Sequence, residues 1–109
     1  MVEQGSIIWL DFDPQLGHEQ KGRRPALVVS KKSFNKFSKM TIACPITNTN
    51  KAHPFHVELD DRTKTTGVVL CDQVKALDIN PRKYEFIEKI PSDLLFDVLD
   101  ILSSFIEIE

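Results

Sequence analysis

The sequence predicts a mainly β protein with one C-terminal helix: a small curled antiparallel sheet or partial barrel, forming a single domain over residues 1–109. Three observations carry this expectation. Short apolar runs alternate with turn-forming segments from Ser6 to Leu77, the pattern of several short strands. After Pro91 the apolar period changes to that of a helix. No repeat, linker or low-complexity stretch divides the 109 residues, a length that buries enough surface to need neither a disulfide nor a metal for its core.

In chain order, Ser6–Phe12 (SIIWLDF) reads as a first strand, with Trp9 expected in the core. Asp13–Arg24 is a polar loop containing Pro14, Gly17 and Gly22. Pro25–Ser30 (PALVVS) is a second strand, continuously apolar and so buried on both faces. The basic stretch 31–39 is expected to make a short helical turn over Ser33–Phe37, with Phe34 and Phe37 facing inward. Met40–Ile46 gives a third strand and Phe55–Leu59 an alternating fourth, on which His56 is expected at the surface. Gly67–Leu77 is long for one strand, and Asp72-Gln73 marks a bulge or bend within it; Gly67 reads as a turn position. In the tail, Ser92 is expected to cap a helix of about 15 residues, with Asp93 at the positive end of its dipole. Leu95, Val98, Leu99, Leu102, Phe105 and Ile106 recur at helical spacing, while Leu94, Phe96 and Ile101 widen the stripe beyond one packing face.

Composition excludes some functions and leaves others open. No apolar run is long enough to span a membrane, and MVEQGSIIW carries an acid where a leader would be basic, so neither insertion nor export is expected. Cys44 and Cys71 sit in apolar runs with no CxxC and no Cys/His cluster, which predicts buried thiols in a reducing compartment. The net charge of −2 hides an asymmetry: residues 1–51 hold 8 Lys/Arg against 4 Asp/Glu, and residues 52–109 hold 6 against 12. Phosphate contacts need local positive charge, so the basic first half leaves a nucleic-acid partner open.

Three segments could carry chemistry. Gly17-His18-Glu19-Gln20-Lys21-Gly22-Arg23-Arg24-Pro25 brings an imidazole, a carboxylate, an amide and three cations together. Arg24 precedes a proline, which biases it toward an extended backbone and holds its guanidinium where a phosphate can be gripped at two points. Thr47-Asn48-Thr49-Asn50 clusters hydroxyls and amides after the third strand, and Asp72-Gln73 interrupts an apolar run. As isolated features, each also fits a solvated turn, a turn of turn-forming residues, or a structural carboxylate.

The spacing Gly5-x-Ile7-Ile8-Trp9-x4-Pro14-x2-Gly17-His18-Glu19-Gln20-x-Gly22-x-Arg24-Pro25 resembles the N-terminal signature of the MazF/PemK (Kid) toxins. Cys44-Pro45-Ile46-Thr47 and Thr66-Gly67-Val68-Val69-x2-Asp72-Gln73 resemble that family's later motifs, so the resemblance covers essentially the whole chain. It implies an SH3-like barrel of the MazF/PemK/CcdB type and a cytoplasmic homodimer. The implied activity is that of an endoribonuclease cutting single-stranded RNA at short sequences without metal or other cofactor, as the toxin of a type II toxin–antitoxin pair. In one branch of the family the catalytic pair corresponds to Arg24 and Thr47. In the other it is a histidine, an aspartate and an arginine; His18 and Asp72 match the first two, but Leu70 stands in place of the arginine. The first arrangement is therefore favoured, with His18, Glu19, Asp72 and Gln73 as further catalytic or positioning candidates. Gln20, Lys21, Arg23, Asn48 and Thr49 are candidates for RNA binding.

The residue types suit metal-free cleavage, in which the ribose 2′-OH attacks the adjacent phosphate. A permanent forked cation stabilises the added charge, a hydroxyl donates to a nonbridging oxygen, and His18, Glu19 or Asp72 accepts the proton. The cations of 18–24, together with Lys31, Lys32, Lys36 and Lys39, are expected to line one groove for RNA or for the acidic, partly disordered tail of an antitoxin. The alternatives are a non-catalytic SH3-like RNA-binding module and a CcdB-like gyrase inhibitor.

Overall fold

The structure is a computed structural model that describes residues 2–13, 17–18, 22–49 and 53–109. Among the described residues, seven strands form one curled sheet: β1 (Ser6–Asp11), β2 (Arg23–Val28), β3 (Thr41–Thr47), β4 (His56–Glu58), β5 (Val68–Leu70), β6 (Lys75–Leu77) and β7 (Glu85–Lys89). Their order is β4-β5-β3-β2-β1-β7, with β6 also on β3. A short helix, α1 (Lys32–Ser38), joins β2 to β3, and α2 (Ser92–Ser104) follows β7. No helix among the described residues is long and apolar enough to cross a membrane.

The sheet is apolar on both faces, which is why β2 reads as a continuous apolar run. One face carries Ile7, Leu27, Cys44, Ile46 and Val69 against Leu94 and Val98 of α2. The other buries Ile8, Leu10, Phe12, Ala26, Val28 and Leu77. Each fully buried Ile, Leu or Val contributes about 1.5–3 kcal/mol of transfer free energy. Both cysteines are fully buried, and burial pushes their thiols up, that of Cys71 to about 12, so neither offers a thiolate nucleophile near neutral pH.

The run from Gly67 to Leu77 is not one strand. β5 and β6 both pair antiparallel with β3, but the register advances by three residues between them: Ile46 faces Val69, whereas Ala43 faces Lys75. The three extra residues form a 3₁₀ turn, Cys71–Gln73. The bend expected at Asp72-Gln73 is this turn, and it lifts both polar side chains out of an otherwise apolar strand.

Five expectations are corrected. Phe34 is 41% and Phe37 94% exposed, because α1 packs through Asn35, whose side chain hydrogen-bonds Ser30 and the Val2 carbonyl. Ser92 is the first helical residue and not a side-chain cap; Asp93 is instead held by both terminal nitrogens of Arg62 at 2.9 Å, which keeps its carboxyl below the usual range. Trp9 is 39% exposed, since β1 carries it past the edge of the helix-covered core. The His56 side chain is only 14% exposed. Leu94 belongs to the core beside Val98, which leaves Phe96, 71% exposed, as the clearest apolar residue off the packing stripe. β7 had no counterpart among the expected strands.

Candidate active site

The catalytic pair expected from the sequence lies on neighbouring strands. β2 and β3 pair with Ala26 opposite Pro45 as the last bonded step, and two steps further along the same register come Arg24 and Thr47. Backbone pairing between the two strands ends at Ala26 and Pro45, before Arg24 and Thr47. The row continues in both directions: Arg24 faces Leu10 on β1, Thr47 faces Val68 on β5, and Val68 faces Glu58 on β4. Arg24 is half-buried near the start of β2, while Thr47, at 9% exposure, ends β3. Thr47 Oγ1 accepts the Thr49 N–H at 3.2 Å, which orients its own hydrogen for donation elsewhere.

Gly67 makes this strand end possible. Its φ is +112°, and a Cβ there would sit 2.3 Å from the Thr47 carbonyl oxygen. The loop before it is tied down by Glu88, which accepts the amides of Lys64 and Thr65 at 3.1 and 2.8 Å and the Thr65 hydroxyl at 2.8 Å. Burial pushes the Glu88 carboxyl up, but the hydrogen bonds from Thr65 and Lys64 outweigh it and hold the group below its ordinary value. Thr66 in turn donates to Asn48 Oδ1 at 2.9 Å, fixing the residue after Thr47.

The glycine loop reaches the 3₁₀ turn. Gln73 Nε2 donates to the His18 carbonyl at 3.4 Å, which ties the glycine loop to the turn. The loop base is pinned where Gly22 N–H donates to Asp13 Oδ1 at 2.9 Å and Arg82 bonds the carbonyls of Asp11 and Asp13. Glu19, Gln20 and Lys21 lie outside the described residues.

Two groups of predicted cations separate from Arg24. Arg23 alternates onto the opposite face, where it donates to Glu85 at 2.9 Å and to the Lys83 carbonyl, and stands 6.0 Å from the Trp9 ring centre. It lies beside a hollow of about 350 Å³ lined by Trp9, Pro25, Ile87, Asn48 and Thr66. Lys31, Lys32, Lys36 and Lys39 surround α1, which joins the far ends of β2 and β3. Four strand residues, about 13 Å, separate Arg24 from that end. The single continuous basic groove expected from the sequence is therefore two separate regions.

Sequence reasoning missed His56. It lies on the same face as Glu58, and its Nε2 is 3.4 Å from Asp72 Oδ1. His53 stacks on it, with ring centres 4.5 Å apart and planes at 27°. These three side chains could supply three metal ligands. His53 Nδ1 already accepts the Phe55 amide at 3.1 Å, so that nitrogen is engaged with the backbone. The strict alternation of FHVEL, with Val57 inward, is the signal that puts His56 and Glu58 on one face.

Residues 3–106 match the family described as PemK-like, MazF-like toxin of type II toxin-antitoxin system. The chain belongs to this family. Among PemK/MazF relatives it is similar to Endoribonuclease PemK of Escherichia coli, 36% identical with 96% of this chain and 82% of the relative covered. It is also similar to Endoribonuclease toxin MazF of Escherichia coli K12, 43% identical with 69% and 67% covered. Its structure superposes on the crystal structure of MazF from Deinococcus radiodurans with a TM-score of 0.92 and 40% identity, covering 98% of this chain and 97% of that one. A MazE–MazF crystal structure from the same organism superposes with a TM-score of 0.84 and 34% identity, covering 99% and 97%. The fold is thus the MazF toxin fold, with α2 in the place expected for the family's C-terminal helix.

Proposed function

We propose that this chain is an endoribonuclease toxin that cuts single-stranded RNA at short sequences without a metal ion, through attack of the 2′-OH on the adjacent phosphate. The observation that supports the reading is the β2–β3 register, whose last pair, Ala26 opposite Pro45, lies two residues from Arg24 on β2 and two from Thr47 on β3. Arg24 supplies a permanent, forked charge for the phosphorane, and Thr47 donates to a nonbridging oxygen. Asn48 and Thr49 follow Thr47, the Thr49 amide bonding its hydroxyl, and Gln73 bonds the His18 carbonyl. Products are a 2′,3′-cyclic phosphate and a 5′-hydroxyl.

A cognate antitoxin of the MazE kind restrains the enzyme in the cytoplasm, with an acidic tail competing for the cations that attract RNA. Two copies pair through apolar side chains that one chain leaves uncovered, among them Phe96 on α2. The test is single-stranded RNA with purified protein in EDTA. Cutting at a recurrent short sequence is expected; no cutting, or cutting only when Mg²⁺ is restored, overturns the reading.

A further inference from the structure

We infer that His53, His56 and Asp72 form a binding site for a divalent transition-metal ion of the zinc kind, an ion that takes no part in the cutting step proposed above. Three observations carry it. First, the ligand atoms converge. One from each side chain lies within 4.8 Å of the other two. His56 Nε2 and Asp72 Oδ1 already stand 3.4 Å apart. That matches the edge of a tetrahedral shell, roughly 3.4 Å for metal–ligand bonds of about 2.1 Å. A common ion therefore asks the His53 ring to close by no more than about 1.4 Å, the difference between 4.8 and 3.4 Å.

Second, hydrogen bonds hold the backbone of all three ligands. The His56 N–H donates to the His53 carbonyl at 3.0 Å, closing a turn with Pro54 at its second position, where a fixed φ favours turning. That turn stacks the two rings, with 4.5 Å between centres. The Cys71 N–H donates to the Phe55 carbonyl at 3.1 Å, which ties the turn to the residue before Asp72. His56 faces Leu70, the last residue of β5, so the 3₁₀ turn carrying Asp72 starts directly beside it.

Third, the donors and their surroundings select the ion. Two imidazole nitrogens and one carboxylate suit zinc and its late first-row neighbours, whereas magnesium and calcium take shells of oxygen. The Asp72 side chain is 39% exposed, so solvent reaches the fourth position of a four-coordinate ion. Glu58, Asp97 and Asp100 line a hollow with His56, and their charge attracts a cation.

Ligation costs one exposed hydrogen bond. His53 Nδ1 accepts the Phe55 amide at 3.1 Å, and that bond is exchanged for the metal while the amide turns to water. The bound ion fastens β4 to the 3₁₀ turn, whose Gln73 holds the glycine loop through the His18 carbonyl.

The test is calorimetric titration of the whole chain with Zn²⁺, after stripping with EDTA and removal of the chelator. One ion per chain is expected, and excess Mg²⁺ should not displace it. His53→Ala, His56→Gln and Asp72→Asn should each weaken binding by at least about tenfold, since even an outer-shell change costs about 10–100-fold. Asp100→Asn removes a nearby charge but no ligand, and should change the affinity by at most about fivefold. His53 is exposed, so its variant should melt with wild type in EDTA, and its lost binding then reports a lost ligand and not a lost fold. No saturable zinc binding, displacement by Mg²⁺, or a change below about tenfold in either histidine variant overturns the site. So does a greater loss in Asp100→Asn than in His53→Ala. Cleavage in EDTA tests the RNA-cutting reading separately, so the failure of either leaves the other standing.

Discussion

Replacing Gly67 by alanine tests how tightly the fold sets Thr47. A Cβ at position 67 would lie 2.3 Å from the Thr47 oxygen and 2.7 Å from its carbonyl carbon, where ordinary contact begins near 3.4 Å. Both neighbours are backbone, so β3 and the start of β5 must part by about 1 Å, or the φ of +112° must change. Left-handed backbone costs a side-chain-bearing residue roughly 1–2 kcal/mol. Overpacking adds about 1–3 kcal/mol. Together these lower the melting temperature by on the order of 10–30 °C for a domain of this size. A displacement of about 1 Å at a catalytic group costs roughly 10²-fold in rate. The assay combines a circular-dichroism melt with the initial cleavage rate per folded molecule, measured well below the variant's midpoint. A melt within about 2 °C of wild type would refute the steric reasoning. A large drop in melting temperature with an unchanged rate would refute the role given to Thr47.

Other outcomes follow from the same geometry. Arg24→Ala should lose the most activity and Arg24→Lys should recover little, while Thr47→Ala should lose about 10²–10³-fold and Thr47→Ser should remain largely active; if His18→Ala is as damaging as Arg24→Ala while Thr47→Ala is mild, the pairing is wrong. Glu88, its carboxyl held below its ordinary 4.5, stabilises the 64–65 loop fully above about pH 4.5 and loses that contribution as pH falls through the lowered folded-state value. Glu88→Gln should therefore melt several degrees lower at pH 7, about 1 kcal/mol after solvent screening, and the gap should close toward pH 3; a constant gap contradicts this. Light scattering at micromolar concentration should give twice the 12.5 kDa chain mass, and Phe96→Asp should shift it toward one chain; a wild-type mass of one chain refutes the dimer.

What the sequence conveyed was local or periodic. The helical spacing from Leu95 to Leu102 anticipated α2, and the polar Asp72-Gln73 inside an apolar run anticipated the 3₁₀ turn. Arg24 and Thr47 were identifiable by type and motif, but the pairing of the strands that carry them is a long-range register that no local pattern encodes. β7 (EFIEK) lacks a clean alternation because the register with β1 shifts between Ile7 and Ile8, so its burial does not follow period two. Phe34 and Phe37 misled because hydrogen bonds of Asn35, not apolar burial, seat α1. Lys31–Lys39 followed Arg24 closely in sequence, yet the strand between carries them to the other end of the sheet. His56 went unread because its partner, Asp72, is distant in sequence and displaced by the turn.

The central claim is that the 2′-OH is the nucleophile and that protein groups, with no metal, do the rest. It is tested most directly by an RNA carrying one 2′-deoxy residue immediately 5′ to the cut, assayed in EDTA beside its all-ribose twin. The twin should yield a 2′,3′-cyclic phosphate or its opened 3′-phosphate together with a 5′-hydroxyl, and the deoxy substrate should bind yet remain whole. Cleavage of the deoxy substrate at the same bond, or 5′-phosphate ends on the twin, would contradict the account.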